Sequence, residues 1–354
     1  MRRIVSVIGN LVALTAAFGL LARYVPPQVF WPPAVVALLL PGLLILTFIF
    51  LIFSLTRRRR WKWAVLPLVV LAFSFPLLEQ LFAWPHADPA ALPSDAPKVT
   101  FVTGNQRLFR DAEALNIDSS AVAHAFVSYG ADVAVLQEVR PPSYGLNYVD
   151  AIRADKRLQS SHQKAGTLIA TYGADITPVT SSFTPPNEYN GFIVSDVETE
   201  IGTLRVINAH LESNQISGMT EGIRGGNSYP DRLETFGRML TGYGRATRLR
   251  AQQADEIRTL VETSPHPVVL GGDFNDVPSS YTYNKITTPR LQDAWVARGA
   301  GLGATFTGPL PGLRIDYFLV DTSLTVVSIE RLAPLWSDHR PLRMVVAEKH
   351  ARSR

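Results

Sequence analysis

Residues 268–275 carry the run Val-Val-Leu-Gly-Gly-Asp-Phe-Asn, an apolar strand pattern that ends in a carboxylate and a carboxamide. Asp273 and Asn275 are two residues apart, so an extended chain points both side chains to the same side. The two glycines let a neighbouring backbone or a ligand approach closely. Such a pair can take a proton from water and hold an oxygen of a bound group, although an Asp-x-Asn turn after a strand is the simpler alternative.

Two further runs end in polar groups of matching chemistry. Trp336-Ser337-Asp338-His339-Arg340-Pro341 places an acid and an imidazole directly before a predicted last strand. Val133 to Glu138 is an apolar strand pattern that ends in a carboxylate, the ligand type that Mg²⁺ prefers. Each run alone also fits an ordinary turn, but the three together indicate one polar site built at strand ends.

The chain around these runs alternates short strand patterns with a few helices. Many short strands with two or three helices predict an α+β sandwich, and the roughly 257 residues from Lys98 onward suffice for one large core. The predicted strands cover 99–102, 132–136, 167–171, 192–198, 203–209, 267–270, 314–320, 324–329 and 341–347, and the predicted helices cover 119–129 and 245–262. Arg248, Arg250 and Arg258 are expected on the solvated side of the second helix. The segment from Leu211 to Tyr243 is expected to be a long loop, either gating a substrate or without a chemical role.

The N-terminal part has a different composition. Residues 1–97 contain eight Lys/Arg and three acids, a net charge of +5, whereas the whole chain is +4, which leaves about −1 for residues 98–354. Affinity for nucleic acid depends largely on Lys and Arg that displace phosphate counterions. The globular part is therefore not built as a high-affinity DNA binder. The absence of cysteine excludes disulfides, thiolate nucleophiles and cysteine-based zinc sites.

Three apolar stretches lie in residues 1–84 and predict a transmembrane anchor of about three helices. They run from Ile4 to Ala22, from Ala34 to Leu55 and from Trp63 to Trp84, and a spanning helix needs about 20 apolar residues. The third is interrupted by Pro67, Pro76 and Glu79, so it meets this condition less well. The first stretch could instead be a signal peptide. Residues 85–97 hold four prolines and are expected to form a linker.

Basic residues near the ends of the stretches predict the orientation of the anchor. They lie before the first stretch and between the second and third, at Arg2, Arg3, Arg57 to Arg60 and Lys62. If all three stretches cross the bilayer, both clusters lie in the cytoplasm and residues after Trp84 lie outside it. We therefore expect an integral membrane protein with an extracytoplasmic globular domain on the periplasmic or extracellular side.

Six short motifs follow one another in an order typical of one family. They are Asn105, Gln137-Glu138, Asn208-Ala209-His210, Gly272-Asp273-Phe274-Asn275, Arg314-Ile315-Asp316-Tyr317 and Ser337-Asp338-His339. The order resembles the endonuclease/exonuclease/phosphatase family, which includes abasic-site endonucleases, pancreatic-type deoxyribonucleases, neutral sphingomyelinases and inositol-phosphate 5-phosphatases. The resemblance covers about residues 98–348. It implies a four-layer α/β sandwich in which two packed mixed sheets are flanked by helices and the site lies at one rim.

The resemblance also implies a metal site. Glu138 would be the main ligand of Mg²⁺ or Mn²⁺, with help from Asn105 and Asp338. The family usually has a bulky residue before the first Asn, whereas this chain has Gly104 there.

The same resemblance assigns catalytic roles. Asp273 would position or deprotonate an attacking water, and Asn275 would orient it and stabilise the transition state. His210 and His339 would contact phosphate oxygens, and Asp316 would hold the ring of His339. In addition, Arg314 lies close enough in sequence to Asp316 to be a candidate phosphate ligand.

The implied activity is metal-dependent hydrolysis of a phosphodiester or phosphomonoester by in-line attack of water, by an enzyme tethered to the lipid bilayer through its N-terminal helices. Alternatives within the family are a DNA endonuclease or exonuclease and a phosphatase or phosphodiesterase of phospholipid headgroups. A catalytically inactive binding module is disfavoured by intact Glu138, Asp273, Asn275 and His339. A channel or transporter subunit is disfavoured because Glu79 is the only charge inside the apolar stretches. No protein partner is predicted.

Overall fold

The structure is a computed structural model, and it describes residues 2–56, 61–84, 95–139, 160–172, 174–185, 189–213, 229–308 and 312–349. Four helices form the N-terminal unit, and the globular domain follows from Lys98 onward. The helices of the N-terminal unit are α1 (Arg2–Leu20), which continues in a 3₁₀ turn at Leu21–Arg23, α2 (Pro33–Ala37), α3 (Leu40–Leu55) and α4 (Trp61–Leu81). Most of the predicted linker, residues 85–94, lies outside the described residues.

Two six-stranded mixed sheets form the centre of the globular domain. The first has the order β11-β12-β1-β2-β4-β3 and the second the order β5-β6-β7-β8-β10-β9. The strands are β1 (Lys98–Asn105), β2 (Val133–Gln137), β3 (Ser160–Lys164), β4 (Thr167–Thr171), β5 (Ile176–Phe183), β6 (Gly191–Thr199), β7 (Gly202–His210), β8 (Val268–Asp273), β9 (Leu291–Asp293), β10 (Asp316–Asp321), β11 (Leu324–Arg331) and β12 (Leu342–Glu348).

Helices cover the outer face of each sheet, namely α5 (Arg110–Ala114), α6 (Ser119–Ser128), α7 (Tyr229–Glu262) and α8 (Tyr281–Ile286). The short helix α9 (Ala294–Arg298) instead packs Ala294 and Trp295 into the core between the sheets. Strand alternation divides the side chains between layers. Val135 of β2 packs between the sheets, whereas Leu136 packs outward with Val122 of α6. On the other side, Leu270 of β8 packs with Ile257 of α7. The α+β sandwich of two mixed sheets flanked by helices, predicted from the sequence, is confirmed.

Gly272, in the run from Val268 to Asn275, allows two strands to approach each other closely. Gly272 has a φ of +142°, and a β-carbon placed on it would lie 1.9 Å from the carbonyl oxygen of Ala209 on the neighbouring β7. No side chain fits there, so the glycine lets β7 and β8 run side by side up to their last residues.

A buried amide bridge joins the two sheets just behind these strand ends. The Gln137 side chain donates to the Asn208 side-chain oxygen at 2.8 Å, and the Asn208 amide donates to the carbonyl oxygens of Leu136 and Leu168 at 2.8 and 2.9 Å. Both side chains are fully buried. Because buried amides are costly unless they are hydrogen-bonded, this bridge fixes the distance between the sheets at the end where the polar motifs lie.

The N-terminal unit differs from the prediction in its second stretch. The apolar run from Ala34 to Leu55 is two helices rather than one, with a break at Leu38 and Leu39 before Pro41. Pro41 has no N–H to donate to a carbonyl of the preceding turn, and proline is tolerated in the first turn of a helix, so a new helix begins at this point. The 16 residues of α3 reach about 24 Å at 1.5 Å each, less than the hydrocarbon core of about 30 Å.

Two helices among the described residues are long and apolar enough to cross a membrane, Ile4–Arg23 and Trp61–Leu81. The third predicted stretch therefore meets the length condition, and the second does not. The three helices α1, α3 and α4 pack on one another around Ala16, Leu44 and Leu77.

Some globular elements were not predicted. They include the polar strands β3 and β5 and the short β9, because partly exposed edge strands lack an apolar run. The predicted loop from Leu211 to Tyr243 is also helical in its last part, since α7 begins at Tyr229, and residues 214–228 lie outside the described residues.

Candidate active site

The polar motifs meet where the parallel strands of both sheets end. Strands β1 and β2 are parallel and pair Asn105 with Gln137, directly before Glu138. Strands β7 and β8 are parallel and pair His210 with Asp273, and the antiparallel β10 places Asp316 opposite Asp273. The carboxyl ends of parallel strands share one edge of a sheet, so residues far apart in sequence converge there.

Asn105 lies between the two central carboxylates. Its side-chain nitrogen donates to Oε1 of Glu138 at 3.0 Å and to Oδ2 of Asp273 at 3.1 Å. Its Oδ1 accepts the backbone N–H of Arg107 at 2.9 Å. This pattern fixes the orientation of the amide, because a flipped amide would turn its oxygen toward two carboxylates. Asn105 was predicted as a metal ligand; in this structure its side-chain nitrogen faces both carboxylates and its oxygen faces the N–H of Arg107.

His339 and Asp316 form a buried pair. Nδ1 of His339 lies 2.9 Å from Oδ2 of Asp316, and Nε2 of His339 lies 3.8 Å from Oδ2 of Asp273. Burial by itself lowers the pKa of His339, but the charges of Asp316 and Asp273 raise it more, to about 10. The imidazole is therefore a cation at neutral pH, held in one orientation with Nε2 toward Asp273.

Asp273 is 1% exposed, and this burial raises its pKa to about 6, against the opposing effect of His339 and His210. Its Oδ1 accepts the backbone N–H of Asn275 at 2.8 Å, and Asn275 adopts a φ of +51° to make the turn. The side-chain nitrogen of Asn275 donates to the carbonyl oxygen of Leu211 at 3.0 Å. Asp273 and Asn275 are thus held next to each other. With a pKa of about 6, the Asp273 carboxylate can accept a proton near neutral pH.

His210 points its second ring nitrogen into the carboxylate cluster. Its Nδ1 lies 3.1 Å from the carbonyl oxygen of Tyr189, so Nδ1 carries the proton that it donates there. Its Nε2 is buried without a hydrogen-bond partner among the described residues and lies 3.5 Å from Oε1 of Glu138 and 4.0 Å from Oδ2 of Asp273. A lone pair facing carboxylate oxygens is repelled unless a proton or a cation lies between them.

This arrangement fits a divalent cation. Glu138 keeps 29% of its side chain exposed and lines a cavity of about 400 Å³ together with His210. A carboxylate in a water-accessible, oxygen-rich position suits Mg²⁺ or Mn²⁺, which retain several water ligands. Atoms of Asp273, Asp316 and His339 also lie within 4.8 Å of one another, as a metal site requires. We favour Glu138, because a cation in that triad would have to break the bond between His339 and Asp316.

The cavity beside Glu138 also has two cationic side chains. Arg110, at the start of α5, and Arg245, on α7, both line it, as does Tyr189. None of these residues was singled out by sequence reasoning, since an arginine in a helix carries no local signal of where it points. Two guanidinium groups beside a carboxylate cluster provide attraction for an anionic ligand.

Asp338 lies at the edge of the cluster. Its Oδ1 lies 3.9 Å from Nε of Arg107 and 4.0 Å from Nε2 of His339, and 20% of its side chain is exposed. The preceding Ser337 links two of the motifs through hydrogen bonds, a role that was not predicted. Its hydroxyl donates to the carbonyl oxygen of Asn105 at 2.7 Å and accepts the N–H of His339 at 3.1 Å, which ties the last motif to the first.

Two arginines are placed differently from the predictions. Arg314 was predicted to reach phosphate, but it is 3% exposed, contacts Asp293 at 2.8 Å and the carbonyl oxygen of Gln80 at 2.6 Å, and lines a different cavity. Arg250 was expected on a solvated helix face, but it is fully buried and pairs with Asp276 at 3.1 Å. Both arginines are held by carboxylate partners, and neither lines the cavity beside Glu138.

Comparison with known families agrees with this geometry. A family model described as the endonuclease/exonuclease/phosphatase family matches residues 102–339, which is more than half of the chain. The chain belongs to the endonuclease/exonuclease/phosphatase family. Members of this family are generally phosphoester hydrolases. Residues 2–81 match a second model, described as a domain of unknown function (DUF8431). No curated protein matches the chain.

Three of the solved structures that match this chain are the following. An endonuclease/exonuclease/phosphatase from Bacteroides vulgatus is 18% identical, with a TM-score of 0.49 over 71% of this chain and 99% of that one. A humanized TDP2 from D. rerio is 16% identical, with a TM-score of 0.48 over 70% of this chain and 98% of that one. D. rerio TDP2 complexed with a single-strand DNA product is 15% identical, with a TM-score of 0.48 over 70% of this chain and 98% of that one.

Proposed function

We propose that this family member hydrolyses a phosphoester, either a diester or a monoester, by in-line attack of water with the help of a divalent cation. The observation that carries the proposal is the convergence of Glu138, Asp273, His210 and His339 around one point at the wall of an open cavity. These groups come from both sheets, and carboxylates and imidazoles at one point match the needs of phosphoryl transfer.

Glu138 would hold the cation, Mg²⁺ or Mn²⁺, with Asp338 at the edge of the site as a further candidate ligand. When bound, the cation would neutralise charge on the phosphoryl group and favour ionisation of a water molecule. The exposed part of the Glu138 carboxylate and the unpartnered Nε2 of His210 support this position.

The chain's own residues would divide the remaining work. Asp273 would accept the proton of the attacking water, since its pKa of about 6 leaves it ionised at neutral pH. Asn275, held beside it, would orient that water. The cationic His339, fixed by Asp316, would donate a hydrogen bond to a phosphoryl oxygen as negative charge builds on it. His210 would do the same through Nε2 once its ring carries both protons, since Nδ1 already donates to the Tyr189 carbonyl. Asn105 would keep the Glu138 and Asp273 carboxylates apart at a fixed distance.

We also propose that the N-terminal unit inserts in a lipid bilayer with the globular domain on the extracytoplasmic side. Helices α1, α3 and α4 expose large apolar side chains on their outer faces, an arrangement that is unfavourable in water. The exposed set includes Val7, Ile8, Leu11, Phe48, Ile49, Phe73 and Phe75. The extracytoplasmic orientation requires that the 16-residue α3 crosses the bilayer together with α1 and α4, because only three crossings leave both basic clusters in the cytoplasm. A globular domain held at a bilayer surface would reach lipid headgroups as well as soluble phosphoesters and nucleic acid.

The activity can be tested with the full-length chain in detergent or nanodiscs. We would assay it with Mg²⁺ or Mn²⁺ on bis-p-nitrophenyl phosphate, plasmid DNA, sphingomyelin and phosphoinositides. Asp273→Ala and His339→Ala should each lower turnover by about 10²–10⁴, the usual contribution of a positioned acid or base. Asp255→Ala, at an exposed position on α7, is the matched control. Full activity in both site variants would overturn the proposed site. The orientation is tested separately with a reporter that is active only in the cytoplasm and is fused after Arg354; activity of this reporter would overturn the orientation.

A further inference from the structure

A second cavity lies between the N-terminal unit and the globular domain. It measures about 350 Å³, within the range of about 300–1,000 Å³ for small-molecule sites. Apolar side chains from both parts of the chain line it, among them Leu38 and Leu81 of the N-terminal unit and Val277 and Leu313 of the globular domain. It is separate from the catalytic cluster, because the residues that line the two cavities do not overlap.

The break between α2 and α3 shapes this cavity. Leu38, Leu39, Pro41 and Gly42 all lie at its wall, where a continuous helix would have filled the space. A β-carbon placed on Gly42 would meet no atom within 4 Å. Gly42 lines the cavity and the space around its missing β-carbon is open, so a larger side chain fits at this rim position without displacing the backbone.

The mouth of the cavity joins the apolar surface of the N-terminal unit. Leu39 and Ile45 line the cavity, yet 59% and 62% of these residues are exposed, and Leu302 of the globular domain is 46% exposed on the same rim. Ile45 continues along α3 into the exposed apolar residues Phe48 and Ile49. A molecule that covers this helix face in a bilayer can therefore extend into the cavity without leaving an apolar surface.

One polar group in the wall lacks a partner. Arg314 is 3% exposed and lines the cavity, and two of its guanidinium nitrogens bind Asp293 and the Gln80 carbonyl. Its Nε is buried with no hydrogen-bond partner among the described residues. Because Arg314 is almost wholly buried, it adds little polar surface to the wall, and the lining suits an apolar ligand.

We propose that this cavity binds one acyl chain of a membrane phospholipid. The inference rests on the proposed insertion of the N-terminal unit in a bilayer. The apolar lining and the continuous apolar rim both match a hydrocarbon chain. The bound chain would fill the gap left by the helix break and join the N-terminal unit to the globular domain.

Photo-crosslinking can test the site. The full-length protein is reconstituted in phosphatidylethanolamine–phosphatidylglycerol vesicles that contain a phospholipid with a diazirine in its acyl chain, and crosslinked peptides are mapped by mass spectrometry. Crosslinks are expected at Val277 and Leu313 of the globular domain. Gly42→Leu should reduce them about tenfold, the loss expected when roughly two buried methylene groups of the ligand are displaced.

Gly237→Leu is the matched control, because Gly237 is also a helical glycine with no atom within 4 Å of its missing β-carbon, but on α7. It should leave the crosslinks unchanged. Crosslinks on Phe48 and Phe73 without any on Val277 and Leu313 would show insertion in the bilayer and overturn the lipid site. The absence of crosslinks anywhere would overturn the insertion itself. Equal crosslinking of Val277 and Leu313 in the wild type and Gly42→Leu would show that the label reaches them by another route and would also overturn the site.

Discussion

Glu138, Asp273, His210 and His339 owe their chemistry to their immediate surroundings. The fold removes Asp273 from water and so raises its pKa toward neutrality, while it surrounds His339 with carboxylates that keep the ring charged. Glu138 alone among the four remains partly open to the cavity. A buried base, a charged hydrogen-bond donor and an accessible ligand are therefore produced from common residue types by differences in burial and in neighbouring charge.

The metal role of Glu138 gives the first prediction. Glu138→Gln removes the accessible carboxylate charge but keeps the shape of the side chain, so Mn²⁺ should bind at least about tenfold to hundredfold more weakly, by analogy with the loss of groups that support a metal ligand. Isothermal titration with Mn²⁺ measures the effect. Glu256→Gln, at an exposed position on α7, is the control. Unchanged Mn²⁺ affinity in Glu138→Gln would move the cation to another set of ligands, with Asp273, Asp316 and His339 as the next candidates.

The His339–Asp316 pair predicts how stability depends on pH in metal-free protein. The pKa of His339 is about 10 in the folded chain and 6.5 in its reference state. Because the folded value is the higher one, the charged ring stabilises the fold fully below about pH 6.5, and this contribution is lost as the pH rises toward about 10. Burial also raises the pKa of Asp273 above its usual value, but only to about 6. The titration of Asp273 is therefore almost complete below the pH range in which His339 loses its proton.

We therefore expect the free energy of unfolding of the full-length chain to fall between about pH 7 and pH 10, and His339→Gln to flatten that fall. Urea unfolding in detergent with EDTA at several pH values measures both curves. Parallel curves for the wild type and the variant would mean that His339 is not held as a cation in the folded protein.

At the scale of elements, the site depends on two pairs of parallel strands that end at the same level. The register of β1 with β2 and of β7 with β8 brings Asn105, Glu138, His210 and Asp273 together, and the amide bridge between Gln137 and Asn208 sets the spacing of the two sheets behind them. A shift of one residue in either register would turn the catalytic side chains to the other face of their sheet.

The bridge gives the prediction at this scale. Asn208→Ala removes the donor to the carbonyl oxygens of Leu136 and Leu168 and one of the three acceptors of the Gln137 amide, and it opens a small cavity between the sheets. We expect a loss of about 2–4 kcal/mol in the free energy of unfolding, measured by urea titration. Thr203→Ala, which removes only an exposed hydrogen bond on the same strand, should cost much less. A cost as small as that of Thr203→Ala would show that the bridge does not hold the sheets.

At the scale of the whole molecule, the N-terminal unit is packed onto the globular domain rather than hanging from it. Ala83 is almost fully buried and forms a two-way backbone bridge with Gly301, with N···O distances of 3.0 and 2.8 Å. The Tyr243 hydroxyl donates to the Ala34 carbonyl, and Ser279 donates to the Ala37 carbonyl, each at 3.0 Å. We therefore expect the orientation of the catalytic cavity relative to the bilayer to be set by these contacts.

Removal of residues 1–97 tests this packing. The shortened chain loses the Gln80 carbonyl that binds Arg314 and exposes the apolar side chains of Val277 and Leu313. One orphaned charged donor costs about 1–3 kcal/mol and each kcal/mol shifts the melting temperature by about 2–4 °C in a domain of this size, so a decrease of about 2–12 °C is expected. Differential scanning calorimetry with light scattering measures it. A fragment as stable as the full-length chain would mean that the two parts are independent.

Sequence patterns were sufficient for much of the fold because they record local geometry. Apolar runs such as those of β2, β4 and β8 are buried on both faces, so they stand out in any part of the chain. The order of the motifs predicted the family and which residues gather at the site, since strand ends are fixed by the strands before them. Edge strands β3 and β5 carry no such run and were missed, because half of their surface faces water.

The amino-acid sequence alone determined the layered sandwich, the family and the set of polar groups at the strand ends, because burial periodicity and motif order are written along the chain. Only the tertiary structure decided what each polar group contacts. It turned the Asn105 amide toward two carboxylates, withdrew Arg314 to Asp293 and the Gln80 carbonyl, and brought Arg110 and Arg245 to the cavity. These side-chain contacts join residues that are tens to hundreds of positions apart in the sequence. They cannot be predicted from local sequence patterns, because such patterns do not indicate which distant residues meet.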